Sequence, residues 1–276
     1  MAQDVVVIIG VGGMGLAIAR RTGSGRRVVL ADFNEATLEA AASQLRGEGH
    51  DVLTRRVDVS DRTSVAELAD AAATAGRVTH VAHTAGLSPV QAPTDAILHV
   101  DLLGVAYALD EFARVIAPGG AGVVIASMAG HFAIGTLPAE AEQALAATPT
   151  DELLGLPFLA QLPNPGAAYS IAKRANHLRV RAAASGAWAA AGARVNSISP
   201  GVISTPMGQE ELAGESGAQM RGMIQASATK RLGTPDDIAA AAAFLLDPQQ
   251  ASFITGTDLL VDGGAVAGVR ASGMLG

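Results

Sequence analysis

Short runs rich in valine and isoleucine recur along the chain, with alanine-rich stretches of helical periodicity between them. That alternation predicts parallel strands joined by covering helices. The expected strands are Val5–Ile9, Arg27–Ala31, Val52–Val57, Val78–His83, Gly122–Ser127, Arg194–Ser199 and Asp258–Val261. About seven strands fit one doubly wound α/β sheet, and no linker divides the chain, so a single domain is expected over 1–276. After the second strand, Asn34 supplies a capping side chain, Glu35 an acid in the first turn and Gly47 a stop, which marks a helix.

One region breaks this rhythm. Pro138, Pro149, Pro157, Pro163 and Pro165 punctuate an insertion over 131–166, with helical pieces expected near Ala139–Ala147 and Thr150–Leu154. Its side chains include Phe132, Ile134, Leu137, Leu153, Leu154, Leu156, Phe158, Leu159 and Leu162, too many apolar groups for a solvated loop. The insertion is expected to lie over the active site.

Composition narrows the function classes. Apolar residues are 49% of the 276 and charged residues 16%, enough for a large core. Nineteen Lys and Arg against 26 Asp and Glu give a net charge of −7, which argues against nucleic acid or an anionic membrane as partner and toward a small molecule. The absence of cysteine excludes disulfides, thiolate metal sites and a cysteine nucleophile. His80 and His83 point to opposite faces of a strand and no acid cluster completes a site around them, so no metal is expected. The longest apolar stretch, Val5–Ala19, is interrupted by glycines, and the residues before it carry Asp4 in place of a basic signal head. A cytoplasmic location is expected.

The first strand runs into Gly10-Val11-Gly12-Gly13-Met14-Gly15 and then a helical stretch, the context in which GxGxxG binds a dinucleotide. Turns without side chains let backbone N–H groups and the positive helix end approach a pyrophosphate. Asp32 ends the second strand, where a carboxylate accepts hydrogen bonds from the adenosine ribose and repels a 2′-phosphate. Phe33 stands next, where an arginine would have served NADP, so NAD is favoured over NADP and the sheet is of the Rossmann type. Asp58, followed by Val59, is a candidate for the adenine amino group, with helix capping as its other reading.

The chain has only two tyrosines, and one of them, Tyr169, precedes Lys173 by four positions on a predicted helix, so both side chains share a face. An ammonium beside a phenol favours the phenolate and lowers a pKa that starts near about 10, as a general acid/base requires. A surface pair without catalytic consequence is the other reading.

Together these residues resemble the short-chain dehydrogenases/reductases over nearly the whole chain. Besides the glycine loop and Tyr169-Ser170-Ile171-Ala172-Lys173, His83-Thr84-Ala85-Gly86 stands where that family has NNAG. Ile125-Ala126-Ser127-Met128-Ala129-Gly130 is similar to the segment with its catalytic serine. Pro200-Gly201-Val202-Ile203-Ser204-Thr205 resembles the segment that grips the nicotinamide carboxamide, and Arg231–Pro235 and Thr255–Gly264 resemble the C-terminal signatures. The resemblance implies that Tyr169 exchanges a proton with the substrate oxygen, Ser127 hydrogen-bonds it, and Lys173 also holds the nicotinamide ribose. It implies an NAD-dependent oxidoreductase interconverting a secondary alcohol and a ketone, assembled as a dimer or tetramer through the helices after the fourth and fifth strands.

Three departures stand out. The glycine loop lacks the threonine of TGxxxGxG and is one residue shorter. Asp101 replaces the asparagine that supports a proton-relay water, and an ionised carboxylate accepts but does not donate. The insertion separates Ser127 from Tyr169 by 42 positions, against about a dozen in the family. Bacterial hydroxysteroid dehydrogenase-like members carry an insertion of similar placement, which implies an apolar, steroid-like substrate. Met207, Met220 and Met223 fall where the family has a substrate lid, with core packing as the other reading. Two further readings are a non-catalytic NAD-binding or sensing protein and, more distantly, a sugar epimerase or dehydratase.

Overall fold

The computed structural model describes residues 2–273. Its seven parallel strands are β1 (Asp4–Ile9), β2 (Arg27–Asp32), β3 (Asp51–Arg56), β4 (Arg77–His83), β5 (Ala121–Ile125), β6 (Arg194–Pro200) and β7 (Asp258–Val261). They are ordered β3-β2-β1-β4-β5-β6-β7, so the strand order reverses between β1 and β4. Such a reversal opens a crevice at the carboxyl ends of the strands, where ligands of doubly wound sheets bind.

The first helices are α1 (Gly13–Thr22), α2 (Glu35–Gly47) and α3 (Arg62–Ala75). Asn34 caps α2 by accepting from the Thr37 N–H at 3.0 Å. A short α4 (Thr94–Ile97) leads through a π-helical turn, Leu98–Leu103, into α5 (Gly104–Ala113). After β5 come α6 (Met128–Phe132), α7 (Ala139–Ala147), two 3-10 turns, the long α8 (Pro165–Ser185) and the short α9 (Ala187–Ala190). Past β6 lie α10 (Pro206–Ala213), α11 (Gly217–Ala226) and α12 (Pro235–Leu246), and α13 (Ala265–Ser272) follows β7.

Alternate residues of each strand face opposite ways. Val6 and Ile8 of β1 pack with Ile18 of α1, Leu38 of α2 and Ile238 of α12. Val5, Val7 and Ile9 pack on the other side with Val65 of α3, Phe112 of α5 and Ala172 of α8. The single tryptophan, Trp188, is buried in that second layer and donates its indole N–H to the Leu109 carbonyl at 2.9 Å.

The insertion differs from expectation in where it docks. Leu145, Leu153 and Leu159 are fully buried in the layer that contains α5 and α8, and only Phe132 and Gly166 at its two ends reach the substrate chamber described below. Polar ties explain the placement. Arg174 of α8 grips Glu142 of α7 with two hydrogen bonds of 2.7 and 2.9 Å. Arg179 donates to the Leu145 and Thr148 carbonyls, each at 3.1 Å, closing the end of α7. Thr150 donates to Asp110 of α5 at 2.6 Å. The insertion thus braces α8 and α5 from outside instead of roofing the cleft.

Candidate active site

The glycine loop sits where β1 meets α1. Gly10 has φ +89°, and a Cβ there would lie 2.5 Å from the Ala85 nitrogen, so no larger residue lets β1 and the segment after β4 come this close. Gly12 opens onto free space, and the first turn of α1 carries no acid, leaving its N–H groups and positive end available to an anion. Asp32 accepts from the Val11 N–H at 2.8 Å and from the Asn34 N–H at 2.9 Å, which ties the loop to the end of β2. Phe33 is largely exposed, and the Arg56 guanidinium lies 4.7 Å from its ring centroid. The sequence reading found no arginine at this end of the cleft; register with β3 supplies one, since Arg56 stands opposite Asp32. Asp58 binds Ser60 through its N–H at 2.9 Å and hydroxyl at 2.6 Å, while the cap of α3 is Asp61.

Gly10, Gly12, Gly13, Met14, Gly15, Asp32, Phe33, Asp58, Val59, Thr84, Ala85, Gly86 and Thr205 line one cleft of about 680 Å³. It continues into a chamber of about 490 Å³ bordered by Ser127, Tyr169, Lys173, Asp101, Pro200, Gly201, Val202 and Ile203. All the expected site residues therefore fall on one connected crevice, and its shape and donor groups fit a nicotinamide dinucleotide. Leu87, Pro89, Phe132, Met207, Met220 and Met223 give the chamber an apolar wall, with Glu211 as an acid among them. The three methionines face ligand space from α10 and α11.

Ser127 lies just beyond β5 in extended conformation and caps α6, accepting from the Ala129 N–H at 3.1 Å. Tyr169 and Lys173 lie on the first turns of α8, which Asn164 caps by accepting from the Ala167 N–H at 2.9 Å. The Lys173 ammonium is 5.3 Å from the Tyr169 ring centroid, and Ser127 borders the same chamber as the phenol. The 42-residue separation is closed by α8 returning alongside α6.

Asp101 changes the expected electrostatics. It is fully buried on the π-helical turn, and its Oδ1 pairs with Lys173 Nζ at 2.8 Å while Oδ2 accepts from the Leu87 N–H at 3.0 Å. A π turn widens the helix and re-aims side chains, a feature frequent at functional sites. Burial pulls the Lys173 ammonium toward lower pKa, but Asp101 outweighs it and holds the amine protonated above its ordinary range. Burial pushes the Tyr169 phenol upward; Lys173 and Ser127 act to lower it, and Asp101 and Glu211 raise it further. The net shift is upward, which corrects the expectation of a phenol made acidic by its lysine: burial outweighs the Lys173 charge, and Asp101 adds to the rise. His83, also fully buried, has its imidazole pushed down to about 3 by burial and by Lys173.

Sequence reasoning missed a second cluster. The expectation of no metal rested on His80 and His83, but His131, His177 and Asp258 converge behind Ser127, from α6, α8 and β7. They stand 46 and 81 positions apart, so no local spacing could have announced them.

Comparison with known proteins agrees with the geometry. The family model described as short chain dehydrogenase matches residues 4–139, and that described as Enoyl-(Acyl carrier protein) reductase matches residues 158–266. The chain is 42% identical over 268 residues to the short-chain dehydrogenase/reductase bsc3 of Alternaria brassicicola, covering 97% of each. It is 31% identical to cis-4-hydroxycyclohexanecarboxylate dehydrogenase of Sinomonas cyclohexanicum, over 96% of this chain and 98% of that protein. A short-chain type dehydrogenase/reductase from Mycobacterium ulcerans superposes with a TM-score of 0.75 at 24% identity, over 96% of this chain and 90% of that one, a likeness of fold. The chain belongs to the short-chain dehydrogenase/reductase family, whose oxidoreductases act on CH–OH groups and their ketones with a nicotinamide cofactor.

If Asp101 restrains Tyr169 as this geometry requires, Asp101→Asn leaves the Lys173 charge uncompensated and moves the phenol titration to lower pH by about one unit or more. Ultraviolet titration in a Tyr107→Phe background, where Tyr169 is the remaining tyrosine, measures it.

Proposed function

We propose that the protein is an NAD-dependent dehydrogenase/reductase for a lipophilic secondary alcohol and its ketone, with Ser127, Tyr169 and Lys173 as its reacting constellation. The observation that carries this reading is the meeting of those three side chains in the apolar chamber that adjoins the dinucleotide cleft. A bound nicotinamide would supply the hydride acceptor or donor. In the oxidative direction Tyr169, acting as its phenolate, takes the hydroxyl proton of the substrate, and Ser127 holds the same oxygen in place. In the reductive direction Tyr169 gives that proton back. Lys173, pinned by Asp101, keeps a positive charge beside the phenol as it changes protonation state.

Gly10 to Gly15 and the end of α1 would hold the pyrophosphate, and Asp32 the adenosine ribose. Asp32 supports NAD, because a 2′-phosphate would have to sit against its carboxylate. Phe33 and Arg56 form a stacked platform beside it, suited to the adenine. Thr205 and the segment Pro200–Ile203 would flank the nicotinamide end.

The chamber supports an apolar skeleton, and Glu211 supports a second hydroxyl on it. Burial pushes the Glu211 carboxyl above its ordinary range. An acid held this way hydrogen-bonds a substrate hydroxyl without demanding a cation. The reading also includes self-association. β7 is one of the two edge strands, and Phe253 near it is 99% exposed with Phe244 of α12 also exposed. The insertion occupies part of the α5 and α8 surface, so a second copy is assigned to the β7 edge.

Purified protein supplied with NAD and a panel of hydroxysteroids and alicyclic diols should form NADH, and Tyr169→Phe should cut turnover by about 10²- to 10⁴-fold while NAD still binds. No reduction across the panel would overturn the reading. Asp32→Ser should raise kcat/KM for NADP relative to NAD by about tenfold or more, with Arg56 left to meet the added phosphate. Light scattering should report a dimer or tetramer that Phe253→Ser shifts toward monomer.

A further inference from the structure

Behind the candidate active site, α6, α8, β6 and β7 bring a set of polar side chains into one buried knot that the proposed reaction does not use. His131 Nε2 lies 2.7 Å from Asp258 Oδ2, and His177 Nε2 lies 3.4 Å from Asp258 Oδ1. The two imidazole rings are 5.0 Å apart with their planes tilted by 58°, an arrangement that turns edges toward a common point instead of stacking faces. One ligand atom from each of the three residues falls within 4.8 Å of the other two.

We propose that His131, His177 and Asp258 form a binding site for a divalent transition-metal ion of the zinc type. Two imidazoles and one carboxylate are a donor set that such ions accept, with metal–ligand distances of about 2.0–2.2 Å. At those lengths tetrahedral ligand atoms stand roughly 3.3 Å apart, inside the spread seen here, so modest rotamer adjustment closes the site. The outer groups are already in place. Ser197 and Ser199 donate to Asp258 Oδ1 at 2.5 and 3.0 Å, which orients the carboxylate and leaves Oδ2 to face His131. Ser199 Oγ also lies 2.8 Å from His177 Nε2, and a metal would take over that contact.

Charge and access agree with the assignment. The cations nearest the knot are themselves paired, Lys173 with Asp101 at 2.8 Å and Arg174 with Glu142 at 2.7 Å, while Arg270 donates to the His131 carbonyl at 2.9 Å. None of these three cations pairs with Asp258, whose carboxylate is contacted by His131, His177, Ser197 and Ser199. His177 is buried, whereas the His131 side chain is 19% exposed and opens the route by which an ion and its water would enter. The site would fasten α6, whose first residue is capped by Ser127, to β7 on the far side of the sheet edge. Its role is therefore structural support of the segment that carries Ser127, independent of which alcohol the enzyme oxidises.

The test is cobalt and zinc titration of the untagged, chelator-treated protein. One equivalent of Co²⁺ should bind and show the visible bands of a four- or five-coordinate ion, zinc should displace it, and zinc should raise the thermal midpoint of the native chain. His131→Gln, the mildest change because that ring is at the surface side, should weaken binding by about a hundredfold, and Asp258→Asn should abolish it. Should Asp258→Asn fail to fold, His131→Gln and His177→Gln carry the comparison. Absence of saturable binding overturns the proposal, as does binding that all three variants retain, which would place the ion elsewhere on the chain.

Discussion

The buried pair between Lys173 and Asp101 is the interaction on which the rest of the site depends. A lysine and an aspartate removed from water are costly unless each satisfies the other, and here the 2.8 Å contact is completed by the Leu87 N–H on the second carboxylate oxygen. The pair crosses from α8 to the π-helical turn before α5, and Gly86 leaves the space it needs: a Cβ there would stand 2.6 Å from Asp101 Oδ1. Position and charge are therefore set together. The ammonium that serves the phenol is fixed in place by the same group that dilutes its effect on that phenol.

This balance belongs to one of the chain's three departures from the family pattern. An asparagine at position 101 would orient neighbours without a formal charge; the aspartate anchors the lysine more firmly at the expense of phenol acidity. A higher phenol pKa keeps the proton on Tyr169 over a wider range, a condition that suits proton donation to a carbonyl. Glu211, the acid lining the chamber, raises the phenol further, so burial and both acids keep the proton on Tyr169.

Much of the architecture was legible in the sequence because it rests on local signals. The valine- and isoleucine-rich runs located all seven strands to within a residue or two at most ends, and Asn34 marked its helix start correctly. The glycine loop, Asp32, Ser127, Tyr169 and Lys173 could be read from motifs whose spacing reflects a strand, a turn or a helix face. What stayed hidden depends on long-range packing. The apolar count of the insertion says that it is buried but not against which surface, and Arg174 and Arg179, which decide that, carry no recognisable motif. The direction of Asp101 depends on a π turn without a composition signature, and Arg56 reaches the cofactor cleft only through strand register.

The helix that bears Tyr169 and Lys173 is gripped on its outer side by the insertion and on its inner side by the sheet, so its residues have little room to shift. The opposite wall is built differently: α10 and α11 bury only Gly208 and Gly217 among their residues and present methionines to the chamber. Rigidity and adaptability are consequently assigned to separate pieces of chain. Substitutions in that soft wall can reshape the chamber without moving Tyr169 and Lys173 across from it.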